Sequence, residues 1–464
     1  MASRMLSRSL KAPSRLGRGL ATAAPKQPLT KISTLPNGLV VASEHQPHAQ
    51  TATIGVYFDV GSRHDQKAGV AHFAEHLYFK GTPTRSIKQL EAEVENIGGR
   101  LDAYTAREIT SYTGRSLADG VPKMTEIIGD MLSNPTFDKA AIDAERSTIL
   151  REAEEVAKDK QEAIFDHLHA VAFQGQPLGY DILGPTQNIQ SITKDDLLTY
   201  RAANLHSDKM VFAGAGAVNH DQLIELAQKH LSGFPSSSNP FGSKRAEKPR
   251  FVGSEVRLRD DTWDDCHIAI AVEGVSNNSP DYWVMNVISS IMGNWDRSLG
   301  AAPLLSSKLT HILSSGGYAN SFRHFNLSYA DTGLWGVHLV TENVTNIDET
   351  VHWTLKEWQR MSMAPTIAEV ERAKSQLKAA TLLTLSDDGT KSIVEDIARN
   401  IFTYGTRLTP KQIEEAIDRV TVDDVMRVAK EKIWDQDVAM AAMGRVEGLF
   451  DYARIRNDMS SMIY

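Results

Sequence analysis

Short stretches in the first half of the chain alternate apolar and polar residues, a pattern typical of β-strands. Residues 51–63 (TATIGVYFDVGSR) alternate in this way, and residues 100–117 (RLDAYTAREITSYTGRSL) predict two strands joined by a turn near Arg107 and Glu108. Apolar residues at helical spacing predict helices over 68–80, over 86–97 and from Asp138 to about Ala172. Strands mixed with long helices favour helices packed against an antiparallel or mixed sheet.

The same pattern occurs twice, half a chain apart. Residues 189–216 and 417–444 align without a gap, and in each copy Thr-x-Asp-Asp precedes a helix that leads into an apolar strand ending in glycine. A threonine can cap the helix, and the two acids suit its positive end. A repeat of this length predicts an α+β fold of two structurally repeated domains, each a mixed or antiparallel sheet covered by helices on one face.

The domain boundaries follow from composition. A chain of 464 residues is too long for one core. Residues 233–250 are rich in Pro, Gly and Ser and then basic, so we expect an interdomain linker there. The predicted N-terminal domain therefore spans 21–232, and the predicted C-terminal domain spans 251–464.

The N-terminal segment differs in charge from the rest. Residues 1–20 carry five basic and no acidic side chains, with serines and with leucines at helical spacing, which is typical of a mitochondrial transit peptide cut after Leu20. A disordered basic tail is the alternative. The chain has a formal charge of −8, so removing these five positive charges leaves −13. Such an acidic protein suits a cationic ligand, and we expect no nucleic-acid partner.

The overall composition, with 41% hydrophobic and 23% charged residues, is ordinary for a globular protein. No apolar run reaches the length of a membrane-spanning helix. The only cysteine, Cys266, cannot form an internal disulfide, which fits a reducing compartment and excludes a thiol-ligated metal site.

A possible metal site lies in residues 70–82 (VAHFAEHLYFKGT). His72 and His76 are four positions apart, so on a helix both imidazoles lie on one face, with Glu75 beside them. Catalytic zinc usually takes three protein ligands, and the third must come from elsewhere in the chain. Glu145 and Glu152 are two helical turns apart, so one can be a ligand while the other orients a ligand.

The alternative is a structural helix that carries two histidines, together with an acidic helix whose face is solvated. The combination of the histidine pair with a suitably placed pair of carboxylates favours the metal site. The other histidines, including His167 and His169, are expected to be structural or on the surface. Cys266 is expected to be a buried strand residue.

Several motifs carry a resemblance to a known family. The His-x-x-Glu-His order, with HFAEHLYFKGT, LDAYTARE, ILREAEEV and LGPTQNIQSIT, resembles the pitrilysin-type inverted zinc metallopeptidases, in particular their mitochondrial members. The resemblance covers nearly the whole chain beyond residue 20. It implies a Zn²⁺ ion held by His72, His76 and Glu152. It also implies Glu75 as general base and Glu145 as the second glutamate of the catalytic motif.

The same resemblance implies where substrate binds. The family recognises an arginine before the cut through an acidic pair, which here is Glu162 and Asp166. Phe79 matches the aromatic that lines the pocket beyond the cut, and RLDAYT matches the edge strand that pairs with an extended substrate. The chain departs from the pattern at Asp102, where asparagine is frequent, and at Tyr78, where a small residue is usual.

The function implied by the resemblance is a zinc metalloendopeptidase subunit of the mitochondrial matrix that removes basic presequence peptides from imported proteins. It implies a heterodimer with a non-catalytic α subunit. The alternative is a core scaffold subunit of ubiquinol–cytochrome c reductase, on the matrix face of the inner membrane, with or without peptidase activity. The second half lacks a His-x-x-Glu-His motif, so we expect metal only in the first half.

Overall fold

The computed structural model of the protein describes residues 30–237, 248–299, 307–387 and 389–460. The predicted transit peptide over 1–20 lies outside these residues, and the predicted linker over 233–250 lies partly outside them. Within these ranges, no helix combines the length and apolar character that crossing a membrane requires.

The described residues form two six-stranded mixed sheets, one in each half. The strands of the first sheet are β1 (Lys31–Thr34), β2 (Val40–His45), β3 (Thr51–Phe58), β4 (Arg100–Thr105), β5 (Thr110–Leu117) and β6 (Met210–Gly216). Those of the second are β7 (Ser254–Arg259), β8 (Cys266–Glu273), β9 (Asn294–Asp296), β10 (Ser321–Ser328), β11 (Gly333–Thr341) and β12 (Ala439–Gly444). The spatial orders are β1-β2-β6-β3-β5-β4 and β7-β12-β8-β11-β10-β9.

Five strands of each sheet share one arrangement, in which β2-β6-β3-β5-β4 corresponds to β7-β12-β8-β11-β10. The pairs β2–β6 and β7–β12 are parallel, and every other pair in the two sheets is antiparallel. Strand β4 lies at the edge of its sheet and pairs only with β5. The predicted α+β fold with two repeated domains is confirmed, whereas the boundaries at 232 and 251 stay predictions.

The helices surround the sheets. Those of the first half are α1 (Val70–Tyr78), α2 (Ile87–Asn96), α3 (Val121–Ser133), α4 (Lys139–Val156), α5 (Lys160–Ala172), α6 (Thr186–Ser191), α7 (Lys194–Asn204) and α8 (His220–His230). Those of the second half are α9 (Tyr282–Met292), α10 (Lys308–Ser315), α11 (Ile347–Met361), α12 (Ile367–Asp387), α13 (Thr390–Tyr404), α14 (Pro410–Asp418), α15 (Val422–Lys432) and α16 (Tyr452–Asp458).

The repeated helix starts have the predicted caps. Thr193 accepts a hydrogen bond from the backbone N–H of Asp196, whose side chain reaches back to Thr193. Thr421 and Asp424 form the same reciprocal pair at the start of α15. This arrangement satisfies two backbone donors that the helix cannot pair internally.

The prediction of one helix from Asp138 to about Ala172 is wrong. The stretch forms two helices, α4 and α5, because the Asp159 side chain accepts hydrogen bonds from the backbone N–H groups of Gln161 and Glu162, at 2.9 and 3.1 Å. Those contacts begin a new helix, which then follows its own direction. Helix α4 packs against α1, whereas α5 packs against strands of the second sheet.

Each sheet is covered on its second face by a helix from the other half. Helix α13 packs against β2, β3 and β6, and α5 packs against β7, β8 and β12. Several strand residues under each helix are alanines. Under α5 they are Ala269, Ala271, Ala439 and Ala441, and under α13 they are Ala42, Ala213 and Ala215. Alanines let a helix backbone come close to the strands. The sequence did not predict this exchange.

The exchange predicts that a substitution in the second half loosens the first. Ile397 of α13 is fully buried against the first sheet. We expect Ile397→Ala to cost about 2–5 kcal/mol, because it leaves a cavity there. Hydrogen exchange of β3 and β6 should become faster. The matched control is Ile417→Ala, which removes an equally buried residue from the core of the second half. Unchanged protection of β3 and β6 in the Ile397 variant would refute the dependence.

Candidate metal centre

The start of helix α1 is fixed by neighbouring groups. The Asp65 carboxylate accepts hydrogen bonds from the backbone N–H groups of Gly69 and Ala71, at 2.9 and 3.2 Å. Gly69 has a φ of +93° and Gly184 a φ of +79°, and a side chain on either would meet backbone within 2.4–2.5 Å. Both positions therefore require glycine, and their close approach locks the first turn of α1 against the loop that precedes α6.

The two histidines of α1 point at one carboxylate of α4. The Nε2 atom of His72 lies 3.5 Å from one oxygen of Glu152, and the Nε2 atom of His76 lies 3.2 Å from the other. Helix α4 reaches this position because Ile142 and Ile149 are buried in the core. One ligand atom from each of His72, His76 and Glu152 lies within 4.8 Å of the others, and no other such group of three occurs among the described residues.

Glu145 orients the second histidine. Its carboxylate lies 3.1 Å from Nδ1 of His76 and 2.7 Å from the ammonium of Lys80, and it is buried. A carboxylate accepts, so Nδ1 donates its proton to Glu145, and Nε2, which faces Glu152, is the nitrogen that would bind a metal ion once it has lost its own proton. Two imidazole nitrogens and one carboxylate form the donor set of a catalytic zinc site, so these residues fit a metal ion of that kind.

The electrostatics agree with a cation-binding site. Hydrogen bonds from His72 and His76 are the largest cause of a lowered pKa of Glu152. Burial by itself lowers the pKa of His76, but hydrogen bonds with Glu152 and Glu145 outweigh it, and the pKa is raised. In both cases the site favours positive charge between the imidazoles and the carboxylate, as a bound metal ion provides.

Glu75 lies beside this group and contacts the edge strand. It is half-buried on α1, and its carboxylate accepts a hydrogen bond from the hydroxyl of Thr105, at the end of β4. Sequence reasoning missed Thr105. Its position at the end of the predicted substrate strand was the available signal. The contact holds Glu75 next to the strand that is exposed for pairing.

The two aromatic residues after the histidines have different environments. Phe79 directly follows α1, is half-buried and packs against the core of the first half. Tyr78 is fully buried and makes edge contacts with Tyr112 and Phe137. The departure at Tyr78 is therefore accommodated in the core, and it leaves the exposed part of Phe79 available.

The acidic pair lies on α5. Glu162 is exposed, whereas Asp166 is half-buried and accepts a hydrogen bond of 2.7 Å from the guanidinium of Arg107. Asp181, which sequence reasoning also missed, lies near both groups. The pKa of Asp181 is raised, because burial and the charge of Asp166 outweigh the opposing effects of the Leu183 backbone N–H, Arg107 and His72. The charges of both Asp166 and His72 therefore act on Asp181.

The remaining predictions about single residues can be compared with their surroundings. His169 is buried and bonds to the Phe165 carbonyl and the Tyr329 hydroxyl, at 2.6 Å each, and burial lowers its pKa. His169 is therefore structural, as predicted. Cys266 is the buried first residue of β8, also as predicted, and burial raises the pKa of its thiol to about 12.

Comparison with protein families defines the class. The sequence model of the insulinase family, peptidase family M16, matches residues 40–186, and that of the peptidase M16 inactive domain matches residues 191–377. The chain belongs to this family of metallopeptidases.

Individual relatives narrow this class. The chain is 58% identical to the β subunit of the mitochondrial-processing peptidase from Lentinula edodes, over 99% of this chain and 100% of that protein. It is 42% identical to the human protein of the same name, over 85% and 80% of the two chains. A chain of complex III2 from Candida albicans, solved with Inz-5 bound, has a TM-score of 0.82 and 30% identity, covering 93% of this chain and 100% of that one.

The site predicts a role for Glu145 in metal affinity. Glu145→Gln should weaken zinc binding about tenfold or more, because the neutral amide orients and polarises His76 less well than a carboxylate. Competition with a chromophoric chelator measures the affinity. The control is Glu154→Gln, which neutralises an exposed glutamate of the same helix. Equal zinc affinity in both variants would rule out the proposed orientation of His76.

Proposed function

We propose that this chain is the zinc-binding catalytic subunit of a metalloendopeptidase that removes N-terminal presequences from proteins imported into mitochondria. One observation carries the proposal: two histidine nitrogens and a glutamate oxygen converge on one point, and a further glutamate lies between that point and an exposed strand edge. The names of the relatives support the peptidase and its mitochondrial location.

The metal would be held by His72, His76 and Glu152. When bound there, zinc supplies a Lewis acid that polarises a carbonyl and acidifies water. Glu75 is the general base: its carboxylate takes a proton from the attacking water and passes it to the leaving amine. The Thr105 hydroxyl fixes the orientation of that carboxylate. Glu145 keeps the proton of His76 on Nδ1.

Substrate would bind along strand β4. This strand pairs only with β5, so its outer backbone groups are available to an extended peptide, and Tyr104 on it is 53% exposed. Glu162 and Asp166 would receive the arginine before the cut, and Phe79 would line the pocket beyond the cut. The acidic charge of −13 that remains after residues 1–20, against −8 for the whole chain, attracts basic presequences.

The proposed partner is a non-catalytic α subunit. The chain has two repeated domains, and only the first carries the histidine motif. The peptidase M16 inactive-domain model matches residues 191–377. This match supports a structural role for the second half. In this proposal the α subunit completes the substrate-binding chamber in the mitochondrial matrix, and residues 1–20 act as the transit peptide of the chain itself.

A second candidate function is supported by the Candida albicans complex III2 chain, which matches this fold over nearly its full length. The chain would then be a core scaffold subunit of ubiquinol–cytochrome c reductase at the matrix face of the inner membrane. The peptidase activity would use the site between α1, α4 and β4. The retained ligand set favours the peptidase.

Cleavage of a synthetic presequence peptide by the chain with its native partners tests the function. We expect cleavage at a single site near an arginine, and loss of it on treatment with a chelator. Glu75→Gln should lower kcat by about 100-fold or more while zinc content stays the same, because only proton transfer is lost.

The control for that variant is Glu91→Gln, an exposed glutamate on α2. Full activity of Glu75→Gln would refute the mechanism. Absence of cleavage by the zinc-loaded complex would leave the scaffold as the function. The proteins that co-purify show whether the chain also belongs to ubiquinol–cytochrome c reductase.

Recognition of arginine by the acidic pair has its own test. Asp166→Asn should raise KM about tenfold for a peptide with the proximal arginine, because one charge-assisted hydrogen bond is weakened. A peptide in which norleucine replaces that arginine should lose much less. An equal loss on the two peptides would exclude Asp166 from arginine recognition.

A further inference from the structure

Three side chains at the end of β4 and in the turn to β5 contact other parts of the protein: Glu75, helix α5 and the second half. Thr105 bonds to the carboxylate of Glu75. Arg107 bonds to Asp166 on α5. Glu108 bonds to the guanidinium of Arg63 at 2.5 Å and accepts a 2.9 Å hydrogen bond from a backbone N–H in the second half. The turn is therefore held in place at several points, on both sides of Arg107.

Arg107 occupies a carboxylate that the proposed function assigns to substrate. One of its terminal nitrogens lies 2.7 Å from Asp166, and its Nε donates to the carbonyl of Leu178 at 3.3 Å. The Arg107 side chain is 11% exposed and that of Asp166 is 27% exposed. A ligand in solvent can therefore reach the Asp166 carboxylate. Among the described residues, Glu162 has no ion-pair partner, so the two acids of the pair differ.

The Arg107–Asp166 contact adds little to the position of the turn. The Asp166 side chain is 27% exposed, so solvent partly screens this ion pair. The turn is fixed independently by Glu108, whose carboxylate bridges Arg63 and the backbone of Ala330. Arg63 in turn makes a two-point contact with Asp331, at 2.6 and 2.8 Å. The position of the turn therefore does not depend on Arg107. Arg107 carries the same guanidinium group as the arginine that the substrate would present to Asp166.

We propose that Arg107 is a specificity-determining residue: its guanidinium competes with the substrate arginine for Asp166 and limits how strongly arginine is preferred. The inference rests on the proposed function and adds a residue to it. A substrate arginine either displaces Arg107 or shares Asp166 with it. Both cases cost binding energy, the first through a lost ion pair and the second through repulsion between like charges. Glu162, which is open to solvent, offers the arginine a second carboxylate.

The test compares two presequence peptides that differ only by arginine or norleucine at the position before the cut, with the zinc-loaded chain and its native partner subunit. Arg107→Gln keeps hydrogen-bonding capacity and removes the charge. It should raise the ratio of kcat/KM between the arginine and norleucine peptides about threefold to tenfold, through a lower KM for the arginine peptide. Arg107→Lys keeps the positive charge, so the ratio should stay near that of the unaltered chain.

Two further variants separate competition from general effects. Arg115→Gln removes the same charge from an exposed position at the far end of β5, and it should leave the ratio unchanged. In an Asp166→Asn background, Arg107→Gln should no longer raise the ratio, because the contested carboxylate is gone. Agreement with both expectations supports direct competition for Asp166.

Each result has a distinct meaning. A ratio that stays constant in Arg107→Gln, or a kcat that falls equally for both peptides, would overturn the inference while the proposed function stands. Failure of the unaltered complex to cleave either peptide would overturn the proposed function, and this inference with it. If Arg107→Gln does not fold, Arg107→Met removes the same charge and should raise the ratio in its place. A constant ratio in Arg107→Met, or a ratio that rises in Arg107→Lys, contradicts competition by charge.

Discussion

The candidate site depends on the packing of α4 against α1. Two imidazoles on one helix cannot form a catalytic metal site without a third ligand, and Glu152 reaches them only because Ile142 and Ile149 hold α4 against the core. Burial disfavours the charge of this carboxylate only in part, since the Glu152 side chain is 39% exposed. The histidines provide hydrogen bonds that lower its pKa, and a metal ion would provide the charge.

The exchange of helices makes the two halves one functional unit. Helix α5 carries the acidic pair proposed to bind arginine, yet it packs on strands β7, β8 and β12 of the half that has no histidine motif. Helix α13 returns the contact by covering the first sheet. The second half therefore positions α5, the helix that carries the proposed arginine-binding pair, through the core under it. Its contact with Glu108 adds a second route to the edge strand.

Much of the site could be predicted from sequence because local periodicity governs it. Four-residue spacing puts His72 and His76 on one helix face, and seven-residue spacing does the same for Glu145 and Glu152. The break between α4 and α5 was not predicted, because Asp159 lies in a stretch that is rich in acidic residues throughout. Its capping role is visible only in the structure. Contacts such as Thr105 with Glu75 join residues far apart in sequence, and no local pattern encodes them.

The sequence by itself determined the repeated α+β architecture through its internal repeat, and it determined the histidine pair, the candidate carboxylate pair and the capped helix starts through spacing along single elements. Glu152 as the ligand, rather than Glu145, was implied by the family resemblance. Only the tertiary structure decided which helix covers which sheet, that α5 with its acidic pair packs on the second sheet, and that Arg107 pairs with Asp166. These features depend on contacts between distant segments, where small strand residues such as Ala269 and Ala441 admit a helix from the other half. Alternation of small and large residues along β8 is visible in the sequence, but it does not specify the partner helix.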